Sequence, residues 1–242
     1  MKKLLARLFG QPAAAAPAIP TMEEAEAMIA RIRGDNLSYC GKPKLENIAE
    51  AVLAVRQAGV PGSYLEAGVA LGGSAILLGK IKPKEAPLAL YDVFAMIPAP
   101  GENDGEDAHK RYEEIRSGQS AGLGGKTYYG YVNNLLDVVK RNLRDADLDL
   151  EADHIECVPG LFEDTLHPAG PIAFAHVDCD WFDSVKVCIN RITPRLSKGG
   201  IIIFDDYSSY SGCRRAVDEW LERDARFEKL FHRRSLAVKR IG

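Results

Sequence analysis

The sequence predicts an α/β protein with a doubly wound, Rossmann-like sheet, mostly parallel with an antiparallel edge, preceded by N-terminal helices and covered by a lid. Three observations predict it. From Ser63 onward, short apolar strands alternate with helical segments, the pattern of a parallel sheet covered on both faces. The first of these strands runs into a glycine-rich turn, Gly68 to Gly73. Two later strands end in acidic residues, His176-Val-Asp178-Cys-Asp180 and Ile203-Phe-Asp205-Asp206. Strand ends of such a sheet open onto a common ligand crevice.

Taken in order, residues 1–62 form an arm and helices, and residues 63–242 form the catalytic α/β domain with a lid at about 95–130. Met1 to Phe9 reads MKKLLARLF, followed by an Ala/Pro tract. Arg7 breaks the apolar run that a secretory signal needs, so the expectation is a short amphipathic helix on a linker. Thr21 with Glu24 three residues on forms a capping box that opens a helix. A second helix runs from about Lys44 to Ala58 and stops at Gly59. SYLEAGV is the first strand, and Gly72-Gly73 opens a helix through Lys80. Leu88 to Phe94 is the second strand. Further strands centre on Cys157, Phe174 and Ile202. Helices are predicted at Tyr131–Leu143, Asp183–Leu196 and Ser211–Arg223, and the tail forms two closing antiparallel strands. Between Ala95 and Lys126 prolines and glycines interrupt every pattern. Such a long irregular stretch reads as a lid, with a polar helix from Asp104 to Arg116.

Composition narrows the class. The 242 residues carry a net charge of −3 with acids and bases intermixed, so no basic stripe marks a nucleic-acid partner. No apolar run is long enough for a transmembrane segment. The five cysteines are Cys40, Cys157, Cys179, Cys188 and Cys213, an odd number without a CxxC pair. They fit reduced core residues of a cytoplasmic protein.

The glycine turn reads Glu66-Ala67-Gly68-Val-Ala-Leu-Gly72-Gly73-Ser74. This is not the GxGxxG spacing of a dinucleotide site, which argues against a nicotinamide oxidoreductase. Gly68 allows a tight turn beside a ligand, and Gly72, Gly73 and Ser74 place helix amides near a carboxylate. Glu66 suits a cationic cofactor bearing an ammonium and a sulfonium. Asp92 closes the second strand, where an acid typically bonds ribose hydroxyls. These features suit S-adenosylmethionine (SAM), with plain helix–sheet packing as the competing reading of the glycine turn.

Asp178, Asp180, Asp183, Asp205 and Asp206 would repel one another unless a cation sits among them. Helix capping explains one or two of these acids, not all. Oxygen-only ligands fit Mg²⁺, with Mn²⁺ or Ca²⁺ as alternatives. Asp178, Asp205 and Asp206 are the expected metal ligands. A metal-bound hydroxyl would then lose its proton to Asp180, the candidate general base. His176 is the other candidate base, with a satisfied core histidine as its competing reading.

These blocks, namely YLEAGVALGGSA, YDVF, YVNNLLDVVKRNL, CVPGLFEDTL, HVDCDWFDS and IIIFDDYSSYSGCRRAVDEW, span roughly Ser63 to Trp220. In that order they resemble the macrocin O-methyltransferase family, metal-dependent enzymes that methylate hydroxyls on antibiotic deoxysugars. The resemblance implies a class I SAM methyltransferase sheet, with SAM at Glu66, Gly68 and Asp92 and with Gly160, Leu161 and Phe162 bordering the cofactor. It implies Mg²⁺ on Asp178, Asp205 and Asp206, Asp180 as base, a sugar acceptor and a homodimer or larger assembly. Two stretches depart from the family: Asp92-Val-Phe-Ala-Met-Ile-Pro lacks its usual DSFEGLP-like continuation, and Ser117 to Gly125 is unlike it. Both fall in the lid. Two alternatives are a metal-dependent O-methyltransferase of a catechol or other small diol, which Tyr128, Tyr129, Tyr131 and Trp181 favour if they line the pocket and do not merely pack the lid on the sheet, and a non-catalytic SAM-binding partner protein.

Overall fold

The computed structural model describes residues 18–242. The expected helix at Met1 to Phe9 lies outside the described residues. Helix α1 (Met22–Gly34) begins at Thr21, whose side chain and Glu24 form the reciprocal capping box. Helix α2 (Lys42–Gln57) carries Pro43 in its first turn, where a missing amide costs nothing. Strand β1 (Ser63–Ala67) leads into α3 (Gly73–Ile81), and β2 (Leu88–Asp92) leads into the lid.

The lid contains α4 (Glu106–Arg116) and two single 3₁₀ turns, and α5 (Leu135–Asp145) follows. That helix starts four residues later than predicted. Tyr129–Tyr131 closes a 3₁₀ turn, and Asn134 then takes a left-handed conformation (φ 58°) that resets the chain. The remaining elements are β3 (Ile155–Pro159), α6 (Phe162–Thr165), β4 (Ile172–Val177), α7 (Phe182–Ile192), β5 (Leu196–Phe204), α8 (Ser211–Leu221), β6 (Phe227–Arg233) and β7 (Ser235–Arg240). Helix α7 ends at Ile192, four residues short of the prediction, because Pro194 offers no amide to continue it.

The seven strands run β3-β2-β1-β4-β5-β7-β6. Strands β1 to β5 are parallel, and β7 pairs antiparallel with both β5 and β6. The order reverses between β1 and β4, so their carboxyl ends part and leave a crevice. One apolar core lies on the α1–α2–α3–α5 face and the other under α7 and α8. Helix α2 buries Leu45, Ile48 and Val52 completely against the first core. That packing fixes its N-terminal turn over the strand ends. Among the described residues no helix is long and apolar enough to cross a membrane.

Candidate active site

A cavity of about 550 Å³ opens at the carboxyl ends of β1, β2, β4 and β5. The switch point creates it, and the loops after these strands line it. Gly68 (φ 93°) makes the turn out of β1. A Cβ there would lie 1.8 Å from the Asp178 carbonyl oxygen, so only glycine lets the β1 and β4 loops run together. Asp92 ties this loop down. Its Oδ2 accepts the amides of Val69 (2.7 Å) and Ala70 (3.2 Å), and its Oδ1 accepts that of Phe94 (2.7 Å). Gly160, Leu161 and Phe162 form the wall beyond β3, and Leu161 leaves its side chain partly open to the cavity.

The acids converge at the cavity floor. Asp178, Asp180, Asp205 and Asp206 all line it. They gather as two overlapping groups. Asp178, Asp180 and Asp206 place one oxygen each within 4.8 Å of one another. Asp178 and Asp205 share a second group of the same dimension with Cys40 and His176. Asp180 stands at the apex of a tight turn with φ 60°, in which the Trp181 amide donates to the Cys179 carbonyl at 2.6 Å. A strained backbone of this kind persists where the surroundings enforce it, often at functional sites. Burial, reinforced by Asp205 and Asp206, pushes the Asp178 carboxyl well up. Burial, Asp206 and Asp178 do the same to Asp180.

Three predicted site residues lie beneath the cavity rather than on it. Glu66 is fully buried, and its Oε1 is 2.8 Å from His176 Nδ1. His176 is equally buried, with Nε2 3.6 Å from Asp205 Oδ1. Burial disfavours the imidazolium, but Asp205 and Glu66 outweigh it and push His176 up to about 10. Ala67 stays in the sheet core, where its carbonyl accepts the Asp178 amide at 2.8 Å. The helix-opening residues also turn away from the cavity. A Cβ on Gly72 would meet Val139, and one on Gly73 would meet Leu37 and Ser38. Ser74 is buried beside them.

Two residues from the N-terminal segment complete the floor, and no local pattern announces either. The Lys44 ammonium contacts Asp205 Oδ2 at 2.5 Å and Asp206 Oδ1 at 3.3 Å. Cys40 Sγ lies 3.5 Å from Asp178 Oδ2 and 3.8 Å from Asp205 Oδ2. Burial alone would raise the Asp205 carboxyl, but His176 and Lys44 hold it below the usual range.

The outer wall is aromatic. Tyr39 packs edge to face on Tyr128 and Tyr129, with centroids 5.8 and 5.3 Å away, and the latter two rings lie tilted at 4.5 Å. Trp181 and Tyr210 form a second aromatic pair at 5.3 Å, and Arg111 sits over the Tyr128 ring. All six line the cavity.

Residues 30–232 match the profile of the macrocin O-methyltransferase family (TylF). The chain belongs to that family. It is 32% identical over 203 residues to the 8-demethyl-8-(2,3-dimethoxy-alpha-L-rhamnosyl)-tetracenomycin-C 4'-O-methyltransferase of Streptomyces olivaceus, covering 81% of this chain and 67% of the relative. It is 33% identical over 191 residues to the demethyldecarbamoylnovobiocin O-methyltransferase of Streptomyces niveus, covering 74% and 66%. The matches thus span about two thirds of each relative's length. Among solved structures, the O-methyltransferase NovP superposes with a TM-score of 0.75 at 26% identity, covering 91% of this chain and 99% of that one. The calicheamicin methyltransferase CalS11 shares the fold at 19% identity, with a TM-score of 0.58 and coverage of 97% and 98%. The family member described here is therefore an O-methyltransferase.

Proposed function

We propose that this enzyme transfers a methyl group from SAM to a hydroxyl of a sugar on a glycosylated natural product, with a divalent metal at the acidic floor. The observation that carries the reading is the convergence of four aspartates at the foot of a cavity whose other wall is the Gly68–Ala70 loop. The named relatives are methyltransferases of a rhamnosyl-tetracenomycin and of demethyldecarbamoylnovobiocin, and the rhamnosyl group of the first supports a glycosylated acceptor.

The residues fit both groups. Asp205 Oδ1 and Asp206 Oδ2 are buried without hydrogen-bond partners. Buried carboxylate oxygens are costly to leave unpaired, and a dication ligated by Asp178, Asp205 and Asp206 would satisfy them. Gly68, Asp92, Gly160, Leu161, Phe162 and Asp178 would hold SAM, with Leu161 offering an apolar face. When bound, the metal supplies Lewis acidity that favours the alkoxide of an acceptor hydroxyl, and SAM supplies the methyl group. The protein does the rest. Asp180 accepts the hydroxyl proton. Lys44 and the Glu66–His176 pair hold Asp205 in place. The Trp181 and Tyr128 walls exclude water.

The aromatic wall also favours a second reading, methylation of a catechol. One assay separates the two. Purified enzyme with SAM is offered glycosylated polyketides and aminocoumarins in one set and catechols in another, with and without a chelator. Turnover of the glycosylated set alone, abolished by chelation, is expected. Full turnover in chelator would remove the metal from the mechanism, and catechol turnover alone would replace the sugar acceptor.

A further inference from the structure

Cys40 and His176 are not ligands of an oxygen-only metal site, yet both are buried at its edge. His176 Nε2 and Asp205 Oδ1 are each buried and unpartnered. They face one another at 3.6 Å, too far for a hydrogen bond. Two atoms that share one ion at about 2.1 Å in tetrahedral geometry lie roughly 3.4 Å apart. Cys40 Sγ stands 3.5 Å from Asp178 Oδ2. The corresponding sulfur–oxygen edge around one such ion is about 3.6 Å, from metal bonds of about 2.3 and 2.1 Å. Cys40, His176, Asp178 and Asp205 each bring one ligand atom within 4.8 Å of the others. A further feature is Glu66. It accepts the His176 Nδ1 proton at 2.8 Å, and so orients the ring with Nε2 toward Asp205. A carboxylate behind a histidine is the arrangement that orients metal-bound imidazoles.

We propose that Cys40, His176, Asp178 and Asp205 form a second metal seat that adjoins the Asp178–Asp180–Asp206 oxygen cluster and takes a borderline-soft dication such as Zn²⁺ or Co²⁺. It rests on the proposed function only in sharing Asp178 and Asp205 with that site. Thiolate and imidazole select such ions, whereas Mg²⁺ keeps to oxygen. The Cys40 thiol, and the imidazolium at His176, each release a proton to the buffer as the ion enters. Lys44 remains on Asp205 Oδ2 and Asp206 Oδ1, where its charge offsets the carboxylates. The seat makes the N-terminal segment part of the catalytic floor, because Cys40 precedes α2 and the other ligands come from β4 or the residues that follow β4 and β5.

Cobalt titration of the metal-stripped full chain tests this. Bound Co²⁺ is expected to show a near-ultraviolet sulfur-to-cobalt charge-transfer band. Cys40→Ser should abolish the band and weaken Co²⁺ binding at least ~10-fold while leaving Mg²⁺ binding within about twofold. Asp206→Asn should keep the band, because it touches only the oxygen cluster. Glu66→Gln should weaken Co²⁺ binding by about 10–100-fold. A wild-type cobalt spectrum without the band overturns the seat, and that readout needs no variant to fold. So does unchanged cobalt affinity in a folded Cys40→Ser protein. SAM titration of the same samples keeps the two readings apart: SAM binding without the band removes the seat alone, and the band without SAM binding removes the proposed SAM site alone.

Discussion

At the scale of single residues, the site works by crowding charges until each depends on its neighbours. Asp178 and Asp180 are pushed up by burial and by the acids beside them, while Asp205 is held down by His176 and Lys44. The carboxylates thus divide into one held ionised and two that bind protons or cations readily. This division suits base chemistry beside a cation. Asp180→Asn keeps the size of the side chain and removes the base. Its kcat is expected to fall by about 10²–10⁴-fold, with SAM affinity nearly unchanged. An effect confined to KM would show that Asp180 binds acceptor and does not take its proton. The same residue shows how local conformation serves function. At φ 60°, Asp180 sits in backbone space that costs a non-glycine residue energy, and the tight turn aims its carboxylate at Asp206.

At the scale of elements, the lid is fastened by its acids to two helix N-termini. Neither α7 nor α8 is capped by its own preceding side chain. Asp104 Oδ1 accepts the Phe182 amide at 2.7 Å instead, and Asp107 accepts the amide and hydroxyl of Ser211 at 2.7 and 2.8 Å. Trp181 Nε1 donates to the Pro98 carbonyl at 2.9 Å on the same seam. Each carboxylate therefore satisfies orphan amides and helix dipole at once. Asp107→Ala is expected to cost about 1 kcal/mol in thermal or denaturant unfolding and to raise the acceptor KM more than that for SAM. Equal effects on both constants would mean that the lid does not bear on the acceptor. The latch has a defined pH range. Burial would raise the Asp107 carboxyl, but the Ser211 amide and hydroxyl hold it below its ordinary value of 3.8. A depressed folded value means that the contribution is complete above about pH 3.8 and is lost as pH falls further. The lid is therefore fastened throughout the neutral range.

At the scale of the whole molecule, a floor of converging acids predicts strong coupling between ligands and stability. A ligand that binds only the folded chain, present at 100 times its Kd, adds about 2.7 kcal/mol. In a protein of this size, that is about 5–10 °C in Tm. SAM is expected to raise the melting temperature by this amount in differential scanning calorimetry, and NAD to leave it unchanged. The reverse result would return the Gly68 loop to dinucleotide binding. Much of this protein was legible in one dimension. Strand–helix alternation and buried apolar runs determine the sheet, because a parallel strand covered on both faces has no solvent side to show. The acids at the ends of β4 and β5 were legible for a related reason: polar residues that interrupt an apolar strand mark where it leaves the core. The capping box at Thr21 is local and reads directly. Helix ends at Asn134 and Ile192 read less well, since a backbone reversal and a proline two residues on decide them. Only the tertiary structure decided what touches the floor. Glu66 reads as a loop-mouth acid, but parallel register sets it beside His176, and the pair is buried. Lys44 and Cys40 precede the first strand, and no periodicity links them to acids some 140–160 positions later. The apolar face of α2 puts them there. Local chemistry is written into sequence spacing, whereas contacts across the chain arise only when burial of apolar surface brings distant elements together.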